Sequence, residues 1–328
     1  MFDPIIKLSP SIKIGKDSSV KITSLTKELV CFFQGHYVDF SIVISAKHKA
    51  IRKAIEANAS EEELFEMAKE IIIFAGQEID VAFKTAIKSL RNYYEITGRN
   101  SEDCEVRICI KARSGDLIYD VYRGGDYDRK WAPYPLKENT GFWNINETGE
   151  HFIENDIPQA IKDGRYRNKR IDKNKVHRYT SPSNFFSKHI NKLRKSCDDP
   201  DWENCWDISK SRISSKESCY KSTLIVPMTL LNNKLSEKCK AKLGFNESYE
   251  KHTYGFLCFD HRNSNFFDKK IDVDMGYIVA DWLSLYMVDR INYFENSEVW
   301  SSLMTRIDDG NLQSVIEKST PLLQKTSS

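Results

Sequence analysis

The chain lacks most of the marks that announce a chemistry. Its eight cysteines, at 31, 104, 109, 197, 205, 219, 239 and 258, include no C-x-x-C pair. That argues against the common zinc and dithiol motifs, and at this density against a disulfide scaffold, so eight reduced thiols in a cytoplasm are expected. There is no G-x-S-x-G, no G-x-x-x-x-G-K-[ST] and no G-x-G-x-x-G, which removes the familiar hydrolase, nucleotide-triphosphatase and dinucleotide signatures. Net charge is only +2, so no global field draws the chain to DNA or to an anionic membrane. Residues 1–10 hold no basic segment followed by an apolar one, and no signal peptide is expected. The most apolar stretch, 29–46, is interrupted by Gln34, His36 and Asp39, and no membrane span is expected from it. No kinase, cyclase or helix-turn-helix output segment can be read. Any signal therefore leaves through a partner or through the first 60 residues.

What is present is ordinary globular material. Of 328 residues 40% are hydrophobic and 29% charged, which suits about two domains with real cores. Residues 1–60 form an N-terminal region without a clear pattern: weak alternation over 11–22, an apparent buried strand at 40–46, and a short basic helix over 47–57. From Ser60 the reading sharpens. Ser60 followed by Glu61, Glu62 and Glu63 is a capping box. Apolar residues then recur every three or four positions from Leu64 to Tyr94, predicting one helix over 61–97, about 50 Å long, that Gly98 ends. Its apolar stripe, widened by Ile71, Ile72, Ile73 and Phe74, is broader than one partner needs.

After Gly98 the period drops to two. Val106, Ile108 and Ile110 alternate with Arg107, Cys109 and Lys111, and 117–122 alternates again, with Ser114-Gly115-Asp116 as the turn of a hairpin. Further strands are expected at 151–154, 222–231 and 253–262. A closing amphipathic helix is expected at 273–294, with a short helical tail from 295. Helix, hairpins, a long insertion, two core strands and a helix make an α+β domain.

Several short motifs, in order, resemble the GAF family. They are Thr140-Gly141-Phe142 through Thr148-Gly149-Glu150, then Asn155-Asp156-Ile157-Pro158. Ser222-Thr223-Leu224-Ile225-Val226-Pro227 follows, then Tyr254-Gly255-Phe256-Leu257. Last come Phe266-Phe267 with Asp272 and Ala280-Asp281-Trp282-Leu283. The resemblance covers residues 105–295. It implies a GAF-like antiparallel six-stranded sheet with flanking helices, preceded by the long helix and the small N-terminal region. It also implies a small-molecule pocket between sheet and loops, dimerisation through flanking helices, and a regulatory rather than catalytic role. Residues 296–328 would be a helical tail.

The insertion 159–220 would form the pocket's lid. It opens with Arg165, Arg167, Lys169, Arg170, Lys173, Lys175 and Arg178, seven basic residues in fourteen, and Lys188 to Lys195 adds more. Acidic and aromatic residues follow, from Asp198 through Trp206. One reading is a solvated loop whose halves pair with each other. The other is that Arg170 or Arg178 reaches a phosphate or carboxylate while Trp206 stacks on a ring. The candidate ligand-binding set is Asp156, Arg170, Arg178, Trp206, Ser222 and Cys258. Which face of the 222–228 strand looks into the pocket stays open, because a run apolar on both faces does not declare it.

No catalytic residue, metal ligand or cofactor is assigned. Cyclic-nucleotide-binding members of the family carry N-K and F-x-x-x-D-E. Asn233-Lys234 and Phe267 fit, but Asp272 falls one residue late and Val273 stands where Glu belongs. A bilin would want Cys-His, and Cys219 is followed by Tyr220. Asp260-His261 with Asp272 and Asp274 lacks metal-ligand spacing. The expectation is a cytoplasmic sensory protein, a homodimer with a protein partner for output, binding a small anionic or nucleotide-like ligand without membrane or nucleic acid. The alternatives are a thiol-dependent redox enzyme using Cys205 or Cys219, and an interaction module whose pocket has degenerated.

Overall fold

The computed structural model describes residues 16–100, 104–123, 133–181, 199–206, 219–231 and 251–307. Asn233-Lys234 and Cys197 fall outside them. Two compact units emerge. The first comprises Met1–Thr26, Ala86–Thr229 and Thr253–Asp281; the second Lys27–Thr85, Leu230–His252 and Trp282–Ser328.

The described residues of the second unit are mostly helical. α1 spans Lys16–Glu56 and α2 spans Glu61–Ile96. The strand expected at 40–46 does not exist: those residues lie within α1, as do residues 16–22 of the expected alternation and residues 47–56 of the basic helix expected over 47–57. The reason is visible in burial. Leu29, Phe33, Phe40, Ile44 and Ile51, spaced by four and seven, form a buried helical seam. Polar His36 and His48 interrupt the seam, while Ile42 and Val43 lie off it, 62% and 37% exposed, and imitate a β-branched run. Phe40, Ile44 and Ile51 pack with Ala68, Ile71 and Ala75 of α2. The connection at Asn58 takes a positive φ of 55°. Ser60 then caps α2 as expected: its N–H donates to Glu63 Oε2 (2.9 Å) and the Glu63 N–H donates back to Ser60 Oγ (3.2 Å). On length and composition alone, residues 17–56 could cross a membrane, a test that the core helix of a soluble protein also passes.

Most of the sheet lies in the first unit. β1 spans Arg107–Ser114 and β2 Leu117–Arg123, the expected hairpin. β3, Tyr134–Pro135, was not foreseen, since two residues leave no period to read. α3 (Thr140–Thr148) ends at Gly149, in the left-handed conformation that favours glycine. β4 is Phe152–Glu154, and β5 (Ser222–Leu231) and β6 (Lys251–His261) are the core strands. Between β4 and β5 stand the short helices α4 (Ile157–Lys162), α5 (Lys173–Tyr179) and α6 (Pro200–Glu203). α7 runs unbroken over Ile271–Ile307, absorbing the separate tail helix expected from 295.

The six strands form one sheet in the order β3-β2-β1-β6-β5-β4, with antiparallel pairing between β1 and β2, β1 and β6, β2 and β3, and β4 and β5. Each face is covered differently. Leu224, Val226, Leu257 and Phe259 are buried on one side. There the Tyr94 and Phe259 ring centroids lie 6.3 Å apart, and a Cβ on Gly276 of α7 would lie 2.8 Å from Val226. On the other side Cys109, Ile225, Phe256 and Cys258 pack with Phe142 and Ile145 of α3. The lid segments make a core of their own, with Ile157, Tyr166, Val176, Trp202, Cys205, Trp206 and Cys219 buried together.

Candidate functional site

Alternation decides what the second face of the sheet presents. β1 contributes Arg107, Cys109 and Lys111, β6 contributes Cys258 and Asp260, and β5 contributes Thr223 and Ile225. Together with Tyr134, Glu138, Asn139, Phe142, Asn168, Lys169, Arg170 and Tyr220 they enclose a cavity of about 60 Å³. That is space for about four waters or one small head group. The open question of the 222–228 strand is thereby answered: Thr223 and Ile225 look into the cavity, and Leu224 and Val226 look the other way.

The backbone is brought close enough by two glycines. A Cβ on Gly255 would lie 2.2 Å from the Lys111 carbonyl oxygen, so only glycine lets β6 run beside β1 there. A Cβ on Gly141 would meet Ile225 at 2.6 Å and Phe152 at 2.9 Å, so glycine also seats the start of α3 on the sheet. The Asn139 side chain accepts from the Gly141 N–H (2.8 Å) and caps α3. Thr140 then ties the lid down, its N–H donating to the Arg167 carbonyl (3.1 Å) and its hydroxyl accepting from the Arg167 N–H (2.8 Å). Asn168 turns the chain next: its side-chain Oδ1 accepts from the Arg170 N–H (3.1 Å) and its side-chain Nδ2 donates to the Tyr220 hydroxyl (3.1 Å). This places Arg170 at the rim.

The charges are held in fixed pairs. Arg107 Nη2 contacts Asp260 Oδ2 at 2.9 Å, and the Thr223 hydroxyl donates to Asp260 Oδ1 at 2.8 Å. Burial works against the Arg107 charge, but Asp260 outweighs it and raises the guanidinium further. Lys111 pairs with Asp120, and Lys169 with Glu138 at 2.5 Å. Both ammonium groups also flank the Tyr134 ring, at 5.5 and 5.7 Å from its centroid. Burial pushes the Tyr134 phenol up to about 12, against the pull of Lys111, so it remains a neutral donor. Burial and the adjoining Cys109 raise the Cys258 thiol well above its ordinary range.

Of the six residues singled out from sequence, Arg170 and Cys258 line the cavity. The other four stand elsewhere. Asp156 caps α4, accepting from the Gln159 N–H at 3.1 Å. Arg178 is exposed in the last turn of α5. Trp206 is buried in the lid core, its ring 4.8 Å from Tyr220 and 6.0 Å from Trp202. Ser222 is fully buried and donates to the Asn263 carbonyl at 2.8 Å. Sequence reasoning missed Arg107, Lys111, Tyr134 and Asp260. A usable signal was there: two cations on the polar side of an alternating strand.

The lid's charges make local pairs. Arg165 contacts Glu154 at 3.0 Å, Lys221 contacts Asp199 at 2.5 Å, and Arg262 contacts Glu203 at 2.7 Å. Cys205 is buried in the lid core, and burial pushes its thiol up to about 12. Eight reduced thiols were expected, but Cys104 is disulfide-bonded, while Cys31, Cys109, Cys205, Cys219 and Cys258 are thiols outside any disulfide. Cysteine pairing follows tertiary proximity, which spacing along the chain does not report. Among the described residues no three His, Cys, Asp or Glu side chains converge as metal ligands.

No protein-family model matches the chain, and no curated protein matches it. Among solved structures, fRMsr of Staphylococcus aureus in complex with its substrate is similar at 11% identity and a TM-score of 0.28, over 66% of this chain and 95% of that one. A Burkholderia vietnamiensis protein titled as a GAF sensor is similar at 12% identity and a TM-score of 0.27, over 70% and 94%. Likenesses this distant carry no argument about ligand or activity. The GAF-like character of the fold rests on the chain itself: the six-stranded antiparallel sheet, the Thr-Gly-Glu close of α3, and the Ser222 and Gly255 motifs lying on β5 and β6 as the resemblance implied.

Proposed function

We propose that this chain is a sensory or regulatory protein that binds a small anionic ligand in the cavity on the sheet and relays the change through α2. One observation carries the reading: the lining brings four cations, Arg107, Lys111, Lys169 and Arg170, against two carboxylates, Glu138 and Asp260. Tyr134, Phe142 and Tyr220 supply aromatic walls beside them. Fixed pairs orient Arg107, Lys111 and Lys169 before a ligand arrives, which lowers the ordering cost of binding. A carboxylate or phosphate group then takes charge-assisted hydrogen bonds worth about 1.5–3 kcal/mol each. The volume suits a head group, with any remainder of the ligand extending past Arg170.

We include self-association in the proposal. Val38 and Ile42 on α1 and Ile73 and Val81 on α2 are large apolar residues left exposed, which suits a homodimer formed by the helices. The experiment that tests the ligand is mass spectrometry of small molecules released from natively purified protein, with the same analysis on Arg170→Ala. Recovery of an anionic compound from the wild type, reduced in the variant, supports the reading. Recovery of a cationic or wholly apolar compound, or equal retention by both proteins, sinks it.

A further inference from the structure

Cys109 on β1 and Cys258 on β6 are Cα partners across the antiparallel ladder. Their side chains therefore leave the same face of the sheet, and both line the cavity. Neither is in a disulfide, and the Cys258 thiol contacts that of Cys109. Directly opposed residues in such a ladder have Cα atoms about 4.5–5.5 Å apart. A disulfide accepts about 4.4–6.8 Å. Ladder partners of this kind therefore fall within the separation that a disulfide accepts.

We propose that Cys109 and Cys258 are a redox modification site: a small hydroperoxide entering the cavity converts them to a cross-strand disulfide. The sulfur of Cys109 attacks a peroxide oxygen as its thiol proton is lost, the O–O bond breaks, and the departing oxygen takes up that proton and leaves as water from hydrogen peroxide, or as an alcohol from an alkyl hydroperoxide. The resulting sulfenic acid is then attacked by the second sulfur, the S–O bond breaks, water leaves, and the S–S bond forms. With hydrogen peroxide, two thiols and one oxidant become one disulfide and two waters, and two electrons pass from sulfur to oxygen. Among the described residues the other thiols do not share this placement. Cys205 and Cys219 lie in the lid core, and Cys31 is exposed on α1. The new bond draws the two sulfurs to about 2.05 Å and reshapes the cavity floor. The proposal rests on the geometry of the cavity and not on what fills it.

The test is disulfide mapping of the full chain. Freshly reduced and desalted protein is treated with a molar excess of hydrogen peroxide, alkylated under denaturing conditions, digested and analysed by mass spectrometry. The expected product is a peptide pair joining Cys109 to Cys258, released by dithiothreitol. It should be absent from Cys109→Ser and Cys258→Ser but present in Cys205→Ser. The wild-type digest decides the matter even where a serine variant fails to fold. Complete alkylation of both cysteines after peroxide overturns the proposal, as does their separate oxidation to sulfinic or sulfonic acid without a linked peptide.

Discussion

The guanidinium of Arg99, just past α2, holds both carboxylate oxygens of Asp272 in the first turn of α7, with contacts of 2.6 and 2.5 Å. Asp272 is fully inside, and it also accepts from the Tyr93 hydroxyl (2.8 Å) and the Asp268 N–H (2.7 Å). Burial opposes the Arg99 charge, but the Asp272 contacts outweigh it and raise the group. Removing one member of a buried pair leaves the other uncompensated, at a cost of about 3–5 kcal/mol. Arg99→Ala should lose stability on that scale in urea unfolding, and Arg99→Lys should lose less. Equal stability of Arg99→Ala and wild type would show that the pair contributes nothing. The same contacts give the Asp272 of the sequence motif a structural role, whatever binds in the cavity.

A methyl group at position 255 has nowhere to go. Its nearest neighbour would be backbone, the Lys111 carbonyl at 2.2 Å, which cannot rotate aside. Gly255→Ala should force β1 and β6 apart and cost at least about 1–3 kcal/mol. Thermal unfolding checks this, and an unchanged midpoint would contradict the register between these strands.

Arg170 and Arg178 should now separate. Arg170 lines the cavity, whereas Arg178 is exposed on α5. Against the anionic compound recovered from wild-type protein, Arg170→Ala should weaken binding about 10–100-fold, the worth of one charge-assisted contact. Arg178→Ala should bind as wild type does. Calorimetric titration reads both, and the reverse ranking would place the ligand on the lid's outer surface.

Acid should destabilise the first unit through His261. Burial pushes this imidazole down to about 4 from its ordinary 6.5. Between those values the unfolded chain takes up a proton that the folded one refuses, so stability is complete above about 6.5 and is lost as the pH falls toward about 4. The loss attributable to this group is on the order of 3 kcal/mol. His261→Gln, which cannot titrate, should flatten that part of the pH–stability curve. A curve of unchanged slope would assign the loss to other groups.

The proposed dimer has a direct check. Val38 and Ile42 are 55% and 62% exposed on successive turns of α1. Wild-type protein should scatter light as a dimer at micromolar concentration, and Val38→Asp with Ile42→Asp should scatter as a folded monomer. A monomeric wild type would remove the helices as a dimer interface.

Local signals were legible in the sequence because the physics behind them is local. Ser60 and Glu63 cap α2 through bonds spanning three residues. Gly149 ends α3 because that position requires a left-handed backbone. The alternation at 107–111 and 117–122 declares the hairpin, and the apolar run at 222–231 declares β5. α1 was hidden for the opposite reason. Its seam is recognisable only against α2, which covers Phe40, Ile44 and Ile51 and leaves Ile42 outside. The site was hidden in the same way. Nothing in the sequence pairs Cys109 with Cys258, seats Arg107 on Asp260, or buries Trp206 in the lid core. Strand register and helix packing bring together residues far apart in the chain, and the contacts that select them exist only once the fold has closed.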